Sequence, residues 1–83
     1  MKFGDKQQNE HKTLKAIYHL TLEDFERATY IKEVQNATGL GSKDLQDVCK
    51  ALQKMAYIEK QNFRIAITDE GVAHAEKLIE QSR

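Results

Sequence analysis

Proline is absent from the 83 residues, so no proline kink or cis X–Pro bond shapes this chain. Element boundaries must therefore come from glycine, helix caps and polar breaks. Cysteine occurs once, at Cys49, which excludes an intramolecular disulfide, the usual staple of so small a domain. A charge excess is lacking too: 13 Lys and Arg are matched by 13 Asp and Glu, which excludes the strongly basic binders of the histone type. No apolar run approaches the roughly 20 residues that span a bilayer. The start, Met1-Lys2-Phe3-Gly4-Asp5, turns polar at once and holds no signal-peptide core, so a reducing cytoplasm is the expected compartment. Aromatics are few, and Tyr30, Tyr57 and Phe63 have the spacing of core and sheet residues, not of a base-stacking platform. Internal repeats and low-complexity tracts are missing as well.

What remains is the composition of an ordinary globular chain, 40% hydrophobic and 31% charged, of a length for one domain over residues 1–83. Residues 1–10 are nearly all polar and are expected to fray. Leu14, Ile17, Tyr18 and Leu22 then recur at helical spacing. Thr21-Leu22-Glu23-Asp24 fits a helix start, and the acidic Glu23, Asp24 and Glu26 suit the positive end of a short helix. The spacing leaves open whether the first helix bends or breaks there, and with it the role of residues 21–28. Tyr30, Ile31, Val34 and Ala37 make a short amphipathic helix, closed by Gly39 with Leu40 folding back. Gly41 gives the turn freedom, and Ser42 suits the N-cap of the next helix.

That helix has the cleanest stripe, Leu45, Val48, Cys49 and Leu52, continued by Met55-Ala56. Two runs of β-formers follow, 57–60 and 63–67, broken at Gln61-Asn62, with Phe63, Ile65 and Ile67 alternating as in a half-buried strand. Thr68 caps a last helix with Val72, Ala75, Leu78 and Ile79 on its apolar side. The fold class is mainly α with a small β-hairpin, in the order helix, helix, helix, hairpin, helix.

Three segments resemble a known family. Ile31-Lys32-Glu33-Val34 with Ala37-Thr38-Gly39-Leu40 resembles the second helix and turn of bacterial winged-helix regulators. The stretch from Leu45 to Ile58, ending in Leu52, Met55, Tyr57 and Ile58, resembles a recognition helix running into the first wing strand. Ile67-Thr68-Asp69-Glu70-Gly71-Val72-Ala73 is similar to the segment leaving the wing in regulators of the multiple-antibiotic-resistance type. The resemblance covers about residues 29–79 and is to the winged helix-turn-helix superfamily. One departure is Ala56, which stands where many relatives have glycine.

The resemblance implies double-stranded DNA as the partner and transcriptional regulation as the role. The recognition helix, about 42–55, would enter the major groove with Ser42, Lys43, Gln46, Lys50, Gln53 and Lys54. The wing, 57–67, would touch the flanking backbone through Lys60, Asn62 and Arg64. Independently, the helical period puts Lys43, Asp47, Lys50 and Lys54 opposite the apolar stripe. Charge follows the same division: residues 1–20 and 37–68 each carry +2, whereas 21–36 and 69–83 each carry −2. Against this, Lys43 and Asp47 stand at i,i+4 and would pair on a solvated face. The alternative function is a winged-helix module for protein–protein interaction.

The remaining features point to no chemistry. Cys49 lies on the apolar stripe and suits a buried thiol better than a redox sensor. His11, His19 and His74 lack metal-ligand spacing, so no metal or cofactor is implied. Catalytic motifs are absent and an enzyme is not expected. Leu14, Ile17, Leu78 and Ile79 either form a homodimer seam or close the core of the single chain.

Overall fold

The periodic apolar residues form four helices around one core, in a computed structural model that describes residues 3–22 and 24–81. In chain order the elements are α1 (Phe3–Thr21), β1 (Ala28–Tyr30), α2 (Ile31–Thr38), α3 (Ser42–Lys54), β2 (Ile58–Gln61), β3 (Arg64–Ile67) and α4 (Asp69–Gln81). Because α1 begins at Phe3, residues 3–10 are helical where fraying is expected; Met1 and Lys2 lie outside the described residues. No helix among the described residues is long and apolar enough to cross a membrane.

The second helix start expected at Thr21 does not form. Thr21 ends α1 instead, its hydroxyl donating back to the Ile17 carbonyl at 2.8 Å, and Leu22 beyond it is 59% exposed. Glu23 lies outside the described residues. Asp24 organises a turn: its Oδ2 accepts from the N–H groups of Glu26 (3.0 Å) and Ala28 (3.2 Å). Asp24 thus serves the turn, not a helix dipole.

That turn delivers β1, so the expected hairpin is a three-stranded antiparallel sheet in the order β1-β3-β2. Central β3 is paired on both sides, Thr29 opposite Ile65 on one and Lys60 opposite Ile65 on the other. A buried strand needs both edges satisfied, and β2 alone supplies one. Three residues are too few to show a period of two, which is why β1 is invisible to patterning.

Sheet and helices share the core. Leu14 and Ile17 of α1, Val48 and Leu52 of α3, and Ile65 of β3 are each at most 1% exposed. Leu78 is 8% exposed, so of the four residues expected at a dimer seam three are spent on the chain's own core. Ile79 alone remains half-buried. The alternative of core closure accounts for the other three.

The α2–α3 turn forms as expected at Gly39, whose φ of 73° is left-handed and whose N–H donates to the Gln35 carbonyl. Ser42 does not cap. Gly41 holds the N-cap position with an ordinary φ of −68°, and the Ser42 hydroxyl accepts from Gln35 Nε2 at 3.3 Å. At its other end α3 closes with paired bonds from Ala56 N–H to the Gln53 carbonyl and Tyr57 N–H to the Leu52 carbonyl. Met55 and Ala56 therefore leave the apolar stripe and are exposed. Ala56 takes the left-handed position at a φ of 65°, where a Cβ is strained. Ala56→Gly is expected to stabilise the domain by about 0.5–1 kcal/mol, strain relief outweighing the added freedom of the unfolded chain. A chemical-denaturation midpoint that falls in the variant would contradict this.

Phe63 differs from its expected place. The turn is Asn62-Phe63, one residue later than the break in the sequence pattern, and Phe63 is 78% exposed at its tip. Only Ile65 and Ile67 of the expected alternation point inward. Thr68 caps α4 as expected: its Oγ1 accepts from the Gly71 N–H at 3.0 Å and donates to the Ala56 carbonyl.

Against α4, His74 stacks on Tyr57 with ring centroids 4.5 Å apart, and the His11 ring stands edge-on at 6.3 Å. Desolvation there, with His11 and Lys77 nearby, lowers the His74 pKa below its ordinary 6.5. The unfolded chain then binds more protons than the folded one between the two values, so stability rises with pH in that window. Its contribution is complete above pH 6.5 and is lost as pH falls through the lowered value. Thermal unfolding of wild type and His74→Gln from neutral to acid pH should show the wild type losing more; parallel curves would remove His74 as the cause.

Candidate nucleic-acid interface

The α3 stripe that faces the core forces the opposite side into solvent. Leu45, Val48, Cys49 and Leu52 are each at most 2% exposed, and Ser42, Lys43, Gln46, Asp47, Lys50, Gln53 and Lys54 all lie outside. Helical geometry thus puts the six expected residues of this helix on its open side. Among the described residues, no acidic group lies within 4.0 Å of the ammonium of Lys43, Lys50, Lys54 or Lys60. The expected Lys43–Asp47 pair is not closed.

Four of the six expected residues divide between two depressions beside α3, which Lys43 and Gln53 do not line. Ser42, Gln46 and Lys60 line one groove of about 110 Å³ with Gln35, floored by Ile31, Leu45 and Cys49. Its rim is amide, hydroxyl and one ammonium, a set that donates to phosphate and base edges alike. Lys50 and Lys54 line a depression of about 360 Å³ on another part of the helix, with Asp47, Ala51 and Lys6. Gln35 and Lys6 are not evident from sequence, because each meets α3 only through tertiary packing. The helical period of α3 carries no information about which neighbour flanks it.

The residues expected on the wing differ among themselves. Lys60 and Asn62 are exposed, Asn62 at a φ of 54° in the turn. Arg64 is committed elsewhere: its Nη1 donates to Glu26 Oε2 at 2.8 Å, and its guanidinium lies 5.7 Å from the Tyr30 ring centroid. The Glu26 hydrogen bond holds Arg64 still more firmly protonated. Both partners are substantially exposed, so the pair is weak and open to exchange of the carboxylate for a phosphate. Tyr30 and Phe63, read from spacing as core and sheet residues, are instead 55% and 78% exposed. With Ile31, Gln35 and Asn36 they bound an open cleft of about 730 Å³.

Cys49 lies beneath the first groove at 2% exposure. Burial raises its thiol pKa, opposed in part by the Lys60 charge, so the thiolate needed for redox chemistry is disfavoured. Among the described residues no three His, Cys, Asp or Glu side chains converge as a metal site would need. The chain matches no protein-family model, no curated protein and no solved structure.

Proposed function

We propose that this chain is a winged helix-turn-helix domain that binds double-stranded DNA as a transcriptional regulator. In this reading α3 enters the major groove, and the β2–β3 hairpin is the wing, resting on the flanking backbone. The observation that carries it is the outer face of α3, where Lys43, Gln46, Lys50, Gln53 and Lys54 are exposed and the lysines are unpaired among the described residues. Unpaired ammoniums on one helix face attract phosphates without first breaking a protein ion pair. Gln46 and Gln53 add amides able to pair with an adenine edge. Helix order, the Gly39 turn and the Thr68–Gly71 segment are further support from the resembling motifs.

An amide chemical-shift titration with mixed-sequence duplex DNA, at low and then physiological salt, tests the reading. Shifts confined to 42–54 and 60–64 that fade as salt rises are expected. A spectrum that does not move overturns DNA binding. The exposed Tyr30 and Phe63 around their cleft favour the second reading, a protein-interaction module, and a pull-down would then follow.

A further inference from the structure

We infer that the duplex interface continues past α3 onto the first helix, where Lys6, Lys50 and Lys54 together hold phosphodiester groups of one DNA strand. The inference rests on the proposed duplex binding and adds to it a site that the helix period and the family resemblance do not indicate. Three ammoniums and one carboxylate, Asp47, line the depression, and the small Ala51 side chain leaves its floor open. All four charged residues are exposed, and among the described residues none is closed into an ion pair within 4.0 Å. The net positive charge complements phosphate and not an acidic or neutral apolar surface.

Helix dimensions say where that phosphate comes from. A helix with its side chains is about 10–12 Å across, and the major groove of B-DNA is about 12 Å wide. A helix seated there has a phosphate backbone along each flank. On one flank of α3 lies the groove of Ser42, Gln46 and Lys60, and on the other lies Lys6 with Lys50 and Lys54. The two sets meet opposite backbones. Asp47 stands in the second set and repels the same phosphates that its neighbours attract, so it limits affinity.

The test is fluorescence anisotropy of mixed-sequence duplex DNA against the full chain across a salt series. Lys6→Gln should weaken binding about eightfold near 0.1 M salt and reduce the salt slope by about 0.9, the signature of one lost phosphate contact. Asp47→Asn should tighten binding about threefold, the effect of removing one like charge at roughly 7 Å in water. Lys12→Gln, exposed on α1 but outside the depression, should bind as wild type does. Lys6→Gln behaving like Lys12→Gln, while Lys60→Gln still weakens binding, would overturn the inference and leave the duplex reading standing. A wild type without salt-dependent binding would overturn both. Lys6 and Asp47 are exposed, so unchanged unfolding midpoints are expected and keep the comparison free of folding effects.

Discussion

Gly71→Ala should destabilise this domain by about 3 kcal/mol or more, enough to leave much of the chain unfolded. Gly71 is buried in the first turn of α4, where the helix passes over the end of β3 and Tyr57, three residues past α3. A methyl group on it would overlap the Tyr57 carbonyl oxygen and stand 2.9 Å from Ile67 Cγ1. The Ile67 side chain has some freedom to turn aside. The Tyr57 carbonyl does not, because it accepts the Thr68 N–H at 3.0 Å and so ties the end of α3 to the start of α4. Relief requires α4 to shift on α1, which opens the packing between these helices that buries Ala75 and Leu78. Small domains hold only a few kcal/mol in reserve, so the shift cannot be absorbed.

Gly41→Ala is the matching control, since its φ is ordinary and a Cβ there meets nothing within 4 Å. Its stability should be unchanged or slightly raised. Gly39→Ala falls between, open in space but left-handed, and should cost about 1 kcal/mol. Circular dichroism during urea denaturation separates the three. Equal midpoints for Gly71→Ala and Gly41→Ala would show that α4 is not held against the Tyr57 carbonyl.

Those glycines also mark how far the sequence reaches. Gly39 and the Thr68 cap are legible because their signals are local: a turn residue after a periodic stripe, and a hydroxyl three residues before the N–H it accepts. The outer face of α3 is legible for the same reason, since one period fixes both sides of a helix. Strand β1 is not legible, because a third strand is demanded by the open edge of β3 and not by anything in Ala28-Thr29-Tyr30. Phe63 is misread because a one-residue shift of the turn exchanges a strand position for an exposed tip. Lys6 and Gln35 are missed because tertiary packing alone brings them beside α3.

Under the proposed duplex reading, replacing Lys43, Lys50 and Lys54 together by alanine should produce the largest loss of binding. Each phosphate contact contributes about 0.9 to the slope of log affinity against log salt. Three lost contacts flatten the slope by about 2.7 and weaken binding on the order of several hundredfold near 0.1 M salt, because each contact is worth about eightfold there relative to 1 M. The fold should not suffer, since all three side chains are exposed on α3 and alanine is the best helix former. Single substitutions give the finer result. Each single variant should lower the slope by about 0.9, and the three effects should add. Lys77→Ala on α4 controls for bulk charge and should leave the slope unchanged. If the triple variant kept the wild-type slope, α3 would not face phosphate. Binding that persists at high salt in both proteins would point to an apolar contact, and the exposed Tyr30 and Phe63 would be the residues to change next.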